Sequence, residues 1–352
     1  MSDVDCYDYH LPEELIAQHP LEQRSDARLL CVNRADGDMD HRYIRDLPDI
    51  LRPDDLVVVN DTRVVPARLV GRRVATGGKW EGLFLREDAP SATWQILART
   101  RGRPTIGERV VLLDRSQQEA LELTLVARGQ GGTWIVQPSV SGDVDAMLQQ
   151  VGRVPLPGYI RGGVEQEMDE KRYQTVFANT SGSAAAPTAG LHFTSTLLES
   201  LRARQIRLAS VTLHVGVDTF RPITSDRLED HAMHTEWCAC PEETVAAIQE
   251  TRARGGRVIA VGTTAVRTLE TAAKQSPSGE LSAWLGPTDL FIKPGFSFRI
   301  VDCLLTNFHM PRTTLMVLVS TFASRELIQR TYEEAVRQRY RFLSYGDAML
   351  IE

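Results

Sequence analysis

The sequence lacks the features of a secreted or membrane protein. It has no Cys-x-x-Cys, and its five cysteines are an odd number, so a disulfide framework is not expected. Its longest nearly unbroken apolar run, Leu315 to Ala323, is far shorter than the roughly 20 residues of a membrane helix. The first residues are acidic, unlike a signal peptide. We therefore expect a cytoplasmic protein that does not enter a membrane.

Three common catalytic signatures are also missing. Gly78-Lys79 is followed by Trp80, which does not fit a Walker phosphate loop. The run Gly129-Gln-Gly131-Gly132 lies between two predicted strands, where a hairpin turn is the better interpretation. No Gly-x-Ser-x-Gly occurs. These absences argue against nucleotide hydrolysis, a dinucleotide-binding Rossmann site and an α/β-hydrolase.

The composition is that of a soluble chain with a core. Hydrophobic residues make up 42% and charged residues 24% of the 352 residues, and this length favours two domains, with three possible. The net charge of −6 excludes a strongly basic nucleic-acid binder at the level of the whole chain, but it leaves a local basic face possible.

Residues 62 to about 137 have an all-β pattern. Short β-branched, Leu and aromatic runs recur between turn residues, which is typical of a small barrel or sandwich. The six predicted strands are Arg68–Val74, Trp80–Arg86, Thr93–Ala98, Arg109–Leu113, Leu121–Ala127 and Thr133–Val136.

The same region is locally basic. Residues 62–135 contain twelve Lys and Arg against seven Asp and Glu. Five of the arginines form two clusters, Arg72-Arg73 and Arg99-x-Arg101-x-Arg103. A solvated barrel surface is the default interpretation of such charges, and contacts with RNA phosphates are the alternative.

From about residue 150, strands and helices alternate, as in an α/β domain. We predict a strand at Val211–Val217, a buried strand at Val258–Val261 with a helix after it, and one long helical stretch in Thr313–Arg341. A short helix is also expected at Pro12–Gln18. We therefore predict an α/β domain made of residues 1–61 and 150–352, with an all-β domain of residues 62–149 inserted.

Polar residues follow several of the predicted strands. Gly262-Thr263-Thr264 opens a helix after the strand at 258–261, with Arg267 one turn along, and a helix N-terminus of this kind favours a carboxylate or phosphate. His214 shares the polar face of its strand with Gly216 and Asp218. Because the carboxyl ends of strands form the usual α/β site, we expect these groups to meet there.

Three further segments fit this pattern. Asn307 and His309 follow an apolar strand, and Asn60-Asp61-Thr62-Arg63 follows another. The loop Ser181–Phe193 is rich in small residues, contains Thr188 and ends near His192, so a large ligand has access to its backbone. Each segment alone also fits ordinary turn or capping chemistry.

The segment His231-x-x-His234-x-Glu236-x-Cys238-x-Cys240 suggests zinc at first sight. Its spacing matches no common zinc pattern. In a strand, His234, Glu236 and the two cysteines share one face. We therefore predict a polar wall with half-buried cysteines and no metal.

Taken together, the motifs resemble the S-adenosylmethionine:tRNA ribosyltransferase-isomerase family of queuosine biosynthesis. The matching stretches span the chain and are 8–17, 59–64, 173–177, 186–193, 231–236, 261–270, 289–296, 305–309 and 344–351. The sequence departs from the family pattern at Gly158, Asp218 and Leu343.

The resemblance implies a mixed, barrel-like α/β large domain with a small inserted β-barrel. It implies transfer of the ribosyl part of S-adenosylmethionine to the aminomethyl-deazaguanine wobble base of tRNAs for Asp, Asn, His and Tyr. The ribose becomes an epoxycyclopentane, and adenine and methionine are released. S-adenosylmethionine is then a co-substrate, with no cofactor and no metal, and we expect a cytoplasmic monomer.

This reaction needs a base of moderate pKa, a proton donor for adenine and an anchor for the methionine carboxylate. We predict that His192, His214 and His309 supply the base and the acid, with no order among them. Arg267, with Thr263 and Thr264, is predicted to bind the carboxylate. The other predicted substrate-binding residues are Asp61, Arg63, Thr188, Gly262, Asn307, His231, His234 and Glu236.

Arg99, Arg101 and Arg103, or Arg72 and Arg73, are predicted to contact the tRNA backbone, with Arg337-x-Arg339-Tyr-Arg341 as the second choice. Two other functions stay open. A methyltransferase shares the ligand but normally has a glycine-rich strand–helix turn, which is missing here. A non-catalytic RNA-binding protein leaves the polar strand ends unexplained.

Overall fold

The computed structural model describes residues 3–88, 90–216, 222–276 and 280–352, so Asp218 lies outside the described residues. The chain divides into two compact units. The large unit comprises Met1–Arg63, Pro157–Gly162 and Arg172–Glu352, and the small unit comprises Val64–Leu156 and Gly163–Lys171.

The described strands, in chain order, are β1 (Arg28–Val32), β2 (Met39–Tyr43), β3 (Leu56–Asn60), β4 (Thr62–Val64), β5 (Arg68–Arg73), β6 (Lys79–Asp88), β7 (Thr93–Thr100), β8 (Arg109–Leu113), β9 (Glu119–Arg128), β10 (Thr133–Pro138), β11 (Gly152–Arg153), β12 (Thr180–Ser183), β13 (Arg207–Leu213), β14 (Glu236–Cys240), β15 (Val258–Val261), β16 (Trp284–Thr288), β17 (Cys303–Asn307) and β18 (Ala348–Ile351). The described α-helices are α1 (Leu47–Ile50), α2 (Val144–Val151), α3 (Asp169–Arg172), α4 (Ser195–Ala203), α5 (Glu242–Ala253), α6 (Thr263–Gln275), α7 (Thr314–Phe322) and α8 (Arg325–Arg337).

The large unit is built on a nine-stranded mixed sheet with the order β16-β14-β13-β3-β15-β17-β18-β1-β2. The four strands β13, β3, β15 and β17 run parallel to one another. β18 then pairs antiparallel with β17, and β14 pairs antiparallel with β13. β16 and β2 are the two outermost strands of this sheet, and they do not pair with each other in the described part of the chain. The sheet is therefore open, whereas a barrel-like sheet was expected.

The central parallel strands are apolar on both faces, as expected for strands covered on both sides. Val58 and Ala260 belong to one hydrophobic cluster, which also includes Val266 of α6 and Ile328 of α8. Residues adjacent to them in sequence, such as Val57 and Ile259, belong to a second cluster. Successive side chains of a strand point to opposite faces, so each central strand contributes to both cores.

The small unit is a closed antiparallel barrel. The pairing runs β5-β6-β7-β10-β9-β8, and β8 pairs again with β5, which closes six strands. Alternate residues such as Ile96, Val110 and Leu123 fill its core, while β11 adds two residues beside β5. The mixed α/β class and the small β-barrel of the prediction are both confirmed.

Two local predictions are wrong. Pro12–Gln18 contains only a short 3₁₀ turn at Glu13–Leu15, because Ile16 is extended and forms an isolated bridge with Phe342. The predicted long helix is two helices, α7 and α8. It breaks where Ser324 becomes extended and its hydroxyl accepts a hydrogen bond from the Leu327 amide.

Candidate active site

Four strand ends bring the predicted polar residues to one edge of the large sheet. Because β13, β3, β15 and β17 are parallel neighbours, their carboxyl ends lie side by side. The residues at or just after these ends are Asn60, Asp61, Thr62, His214, Gly262, Thr263, Thr264, Asn307 and His309. We call this edge the carboxyl edge.

The ends of β3 and β13 are joined by polar side chains. The Asn60 side chain accepts from the Leu213 amide and donates to its carbonyl, both at 3.0 Å. Thr212 donates to the Asp61 carboxylate at 2.6 Å. Thr62 Oγ1 and His214 Nδ1 share a hydrogen bond of 2.7 Å, so this imidazole is held in one orientation.

His214 is half-buried between two neighbours. Its ring stacks on Trp237 with the centroids 5.2 Å apart. On Gly182, which has φ +141°, an added Cβ would lie 2.9 Å from His214 Nε2, so a side chain there would displace the ring. Burial lowers the pKa of His214, whereas the nearby Asp61 carboxylate raises it.

Gly262 forms the turn between β15 and α6. Its φ of +86° suits glycine, and an added Cβ would lie 3.5 Å from the Cβ of Ala189. The small-residue loop therefore lies against the start of α6. There Thr264 Oγ1 is buried and has no hydrogen-bond partner among the described residues. Because unpaired buried hydroxyls are unusual, Thr264 Oγ1 is a candidate contact for a ligand.

Arg267 and Glu236 form a buried ion pair, with side-chain exposures of 5% and 4%. Arg267 Nε donates to the Leu290 carbonyl at 3.1 Å, and Glu236 Oε1 accepts from the Gly216 amide at 2.8 Å. Nη2 of Arg267 is buried, and no described residue bonds to it. Nε and Nη1 of the guanidinium are therefore committed to the protein, which leaves the two N–H groups of Nη2 for a ligand.

A cavity of about 850 Å³, including its open mouth, adjoins this ion pair. His231, Met233 and His234 line it together with Arg267 and Glu236. The His231 ring meets Phe291 edge-on, and burial lowers the His231 pKa. Apolar walls with a few polar groups are typical of a small-molecule site. We call it the ion-pair cavity.

Asn307, at the end of β17, contacts His192. Its Nδ2 lies 3.2 Å from His192 Nε2 and also donates to the carbonyls of Leu343 and Asp347. Its Oδ1 is buried and has no partner in the described part of the chain. Asn307, His309 and Thr188 line a second cavity of about 300 Å³, the central cavity.

His192 and His309 are deeply buried. Burial lowers the pKa of His192 to about 4, with Arg24 and Arg341 acting in the same direction, and lowers the pKa of His309 to about 3. His309 Nε2 lies 3.0 Å from Thr306 Oγ1. Both imidazoles are therefore neutral at pH 7.

A third cavity of about 290 Å³ is lined by His192, Arg24 and Arg172, and we call it the basic pocket. Ser344 lines both the basic pocket and the central cavity. Leu315 lines both the central cavity and the ion-pair cavity. The three cavities therefore follow one another along the carboxyl edge.

The predicted residues thus fall into three groups. His192, Thr188, Asn307 and His309 lie together, and so do His231, His234, Glu236 and Arg267. His214 and Asp61 form a separate group. His214 follows β13, three strand spacings or about 14 Å from β17, and Asp61 follows β3, two spacings from β17. Arg63 is exposed and donates to the Ala178 carbonyl. Gly262 and Thr263 begin α6 between these groups.

Three lining residues, Arg24, Arg172 and Ser344, were not among the predicted site residues. No local motif marks Arg24 or Arg172, which lie 148 positions apart. Ser344 lies in a stretch that carried the family resemblance. An arginine in a loop has no periodicity that distinguishes it from a surface charge.

The barrel arginines differ in their surroundings. Arg99, Arg101 and Arg103 are exposed. Arg72 pairs with Glu119, and Arg73 pairs with the shielded carboxylate of Glu108. In the second-choice segment, Arg337 pairs with Glu334, and half-buried Arg341 donates to the His19 carbonyl.

The His231–Cys240 segment differs from the predicted polar wall, because Cys238 and Cys240 are fully buried, not half-buried, and exposed His234 precedes β14. Glu236, Cys238 and Cys240 point to the buried side of β14. Burial raises the thiol pKa to about 11 for Cys238 and about 12 for Cys240. Among the described residues, no group of His, Cys, Asp or Glu side chains has a metal-binding arrangement.

Residues 4–351 match the family model described as "Queuosine biosynthesis protein". The match covers the barrel and all four strand ends of the carboxyl edge. The chain therefore belongs to this family. Across the described ranges, no helix is long and apolar enough to span a membrane.

Similar proteins carry a more specific name. The chain is 48% identical over 348 residues to the S-adenosylmethionine:tRNA ribosyltransferase-isomerase of Trichlorobacter lovleyi, with 99% of each chain covered. It is 46% identical over 349 residues to the enzyme of the same name from Macrococcus caseolyticus, again with 99% of each covered. The crystal structure of S-adenosylmethionine tRNA ribosyltransferase from Thermotoga maritima is 36% identical, with a TM-score of 0.56, and the alignment covers 99% of this chain and 100% of that one.

Proposed function

We propose that this protein transfers the ribosyl part of S-adenosylmethionine to the aminomethyl-deazaguanine wobble base of tRNA and isomerises it to the epoxycyclopentane of epoxyqueuosine. Adenine and methionine leave. The acceptors are the tRNAs for Asp, Asn, His and Tyr. The enzyme acts as a cytoplasmic monomer with S-adenosylmethionine as co-substrate and without a metal or further cofactor.

One observation carries the proposal beyond the family match. Three buried polar atoms at the carboxyl edge, Thr264 Oγ1, Asn307 Oδ1 and Arg267 Nη2, have no partner among the described residues. Leaving such an atom unpaired costs roughly 1–3 kcal/mol. A polar ligand that bonds to them removes this cost, and an amino-acid nucleoside has the donors and acceptors to do so.

The chemistry needs a proton to leave the ribose carbon beside the sulfonium. Adenine then departs with the electron pair of its C–N bond and takes up a proton. The aminomethyl nitrogen takes the place of adenine on the ribosyl carbon and loses a proton. The electron pair left by the first deprotonation forms the C–C bond of the cyclopentane to that same carbon, whose ring C–O bond breaks. The released oxygen bonds to the carbon beside the sulfonium to close the epoxide, and methionine leaves with the electron pair of the C–S bond. A proton acceptor and a proton donor are therefore required at different atoms.

We assign the base to His214. An efficient general base has a pKa near the working pH. Burial lowers the pKa of His214, and Asp61 offsets this only in part, but His214 is half-buried whereas His192 and His309 are deeply buried. The pKa values of about 4 and about 3 make His192 and His309 poor proton carriers at neutral pH. These two are better suited to hydrogen-bonding the neutral parts of the substrate through Asn307 and the central cavity.

The ion-pair cavity is assigned to the methionine part of S-adenosylmethionine. Arg267 contributes the two N–H groups of Nη2 to the carboxylate, with Thr263 and Thr264 one turn earlier, at the start of α6. Glu236 holds the guanidinium in place. His231 and His234 line the same cavity.

Exposed Arg99, Arg101 and Arg103 are assigned to the tRNA backbone. Arg72 and Arg73 stay predicted contacts, and their carboxylate partners reduce the charge that they offer.

The test is to incubate the purified protein with S-adenosylmethionine and tRNA bearing the precursor base, and then to determine the mass of the modified nucleoside. We expect epoxyqueuosine together with equal amounts of free adenine and methionine. Formation of S-adenosylhomocysteine would identify a methyltransferase instead, and absence of turnover with S-adenosylmethionine bound would contradict the proposal.

The roles of the histidines are tested in the same assay. His214→Gln is expected to lower kcat by about 10²–10⁴-fold and to remove the acidic limb of the pH–rate profile. His192→Gln is expected to lower activity but to keep that limb. If His214→Gln retains both rate and profile, the base is another group.

A further inference from the structure

We propose that the basic pocket binds a phosphodiester group of the tRNA next to the base that is modified. This inference rests on the proposed function, since it assigns part of the same edge to the RNA substrate. The pocket is lined by Leu21, Arg24, Arg172, His192, Ser344 and Tyr345, among others.

The guanidinium groups of this pocket are fixed by backbone oxygens. Arg24 donates to the carbonyls of Gln174 at 2.7 Å and Arg172 at 3.2 Å. Arg172 donates to the carbonyls of Leu21 and Glu22. Carbonyl oxygens orient a guanidinium and carry no counter-charge themselves, so these contacts hold positive charge in a defined place.

The pocket has donor capacity to spare. Nε of Arg172 is buried and has no hydrogen-bond partner among the residues described. The positive charges also act on one another. Arg172 lowers the pKa of Arg24, after the larger effect of burial. A buried, mutually repelling set of cations is costly, and a bound anion compensates it.

The position of the pocket relates it to the chemistry. His192 lines the pocket and also lies 3.2 Å from Asn307, which lines the central cavity. Ser344 lines both cavities. Only the side chain of His192 therefore lies between an anion in the basic pocket and Asn307 at the carboxyl edge. This position suits a phosphate of the modified nucleotide or of its neighbour.

Two anions take part in the proposed reaction, the methionine carboxylate and the RNA phosphates. The carboxylate has a site of its own, because Arg267, whose Nη2 has no partner among the described residues, lines the ion-pair cavity. The planar donor fork of arginine fits phosphate oxygens. A chain of net charge −6 also needs local cationic sites to hold a polyanion.

The test uses Arg172→Gln in the full chain, with Arg52→Gln as the matched control. Arg52 is exposed and precedes β3, at the opposite edge of the same sheet. Binding to precursor tRNA is measured against salt concentration, and the KM of each substrate is measured by adenine release.

For Arg172→Gln we expect about a three- to tenfold weaker tRNA affinity and a slope of log Kd against log salt that is smaller by about one. The KM for S-adenosylmethionine should not change, and the control should behave as the wild type. An unchanged tRNA affinity would overturn the inference. A raised KM for S-adenosylmethionine with unchanged tRNA binding would assign the pocket to the carboxylate.

A second measurement needs no variant and so covers the case in which Arg172→Gln does not fold. Ethylation of individual tRNA phosphates should block binding to the wild-type protein at one phosphate beside the wobble nucleotide. If ethylation there has no effect, the inference fails. A wild-type protein that binds the tRNA at this phosphate but releases no adenine would contradict the proposed function and leave the phosphate site standing.

Discussion

Asp55, at the amino edge of the large sheet, and three polar residues at its carboxyl edge differ in how completely they are paired. At the amino edge, Asp55 accepts from Arg257 at 2.7 Å, and Arg257 also pairs with Glu352 at 2.5 Å. At the carboxyl edge, Thr264, Asn307 and Arg267 each keep a buried polar atom without a partner among the described residues. The same strands supply both edges, so the difference does not come from the fold itself.

This contrast distinguishes polar side chains that stabilise the fold from polar side chains that are available to a substrate. Asp55 also accepts from the Arg52 and Arg257 amides, so its carboxylate joins the chain before β3 to the chain before β15. Its bonds are complete without a ligand. Polar atoms that cost stability in the free protein are expected where a substrate completes their bonds.

The largest expected effect is at the amino edge. Asp55→Ala removes the carboxylate beside Arg257, which is only 16% exposed, and leaves a largely buried charge with one partner fewer. Breaking such a pair costs about 3–5 kcal/mol. Urea unfolding should show this loss, while kcat of the folded protein should stay the same.

Glu250→Ala is the control for Asp55→Ala. Its exposed carboxylate pairs with Arg207 at 2.8 Å, and surface pairs contribute at most about 1 kcal/mol. If Asp55→Ala leaves stability intact but abolishes turnover, the division between the two edges is wrong.

The two buried histidines of the carboxyl edge should lower the free energy of unfolding at acidic pH. His192 and His309 have pKa values of about 4 and about 3 in the folded protein, against 6.5 as the ordinary value. Between pH 6.5 and these values the unfolded chain binds protons that the folded chain does not. Stability is therefore full above pH 6.5 and falls as pH decreases, by up to about 1.4 kcal/mol per pH unit for each histidine.

His309→Gln isolates this effect. The variant should show a flatter dependence of unfolding free energy on pH between 6.5 and 4 than the wild type, whereas exposed His10→Gln should keep the wild-type slope. Comparison of variants is needed because burial raises the pKa of Glu270 and Asp347, which act in the opposite direction. Equal slopes in all three proteins would show that His309 titrates normally.

Thr264→Val should separate activity from stability. Valine has nearly the same shape and removes only the hydroxyl that lacks a partner, so stability should change by less than about 1 kcal/mol. Adenine release should fall about 10- to 100-fold if the hydroxyl bonds to the substrate.

Thr268→Val is the matched control for Thr264→Val. It removes a hydroxyl of the same helix that already donates to the Thr264 carbonyl at 3.0 Å, and its rate should equal that of the wild type. A loss of stability without a loss of rate in Thr264→Val would make this hydroxyl structural.

Much of the fold follows from local patterns. The six barrel strands and the buried strand before α6 have apolar periods that a sequence shows directly. The break between α7 and α8 was missed, because Ala323 and Ser324 are ordinary in a helix until the serine caps the next one. The strand predicted at Val211–Val217 is also displaced, because β13 begins at Arg207 and ends at Leu213.

The site is predictable only where it depends on strand ends. Parallel pairing of β13, β3, β15 and β17 brings His214, Asn60, Gly262 and Asn307 to one edge, as the alternation of strands and helices implied. The order of the strands, which separates His214 from His309, is not encoded in any local motif. The pairing of Arg267 with Glu236 is likewise not encoded in any local motif. It uses Nη1 of a guanidinium that the sequence analysis assigned to the substrate.

The smallest effect is expected on the barrel, where Arg99, Arg101 and Arg103 are exposed and are not among the ion pairs of the described residues. Replacing Arg99, Arg101 and Arg103 together with Ala should leave stability within about 0.5 kcal/mol of the wild type, because the side chains are exposed. If they contact phosphates, tRNA affinity falls several-fold and the salt slope decreases by up to about three, with the KM for S-adenosylmethionine unchanged. Arg109→Ala, another exposed barrel arginine that pairs with Glu122, is the control. Unchanged tRNA binding in the triple variant would make the barrel charges a solvated surface and leave the carboxyl edge as the RNA-binding region.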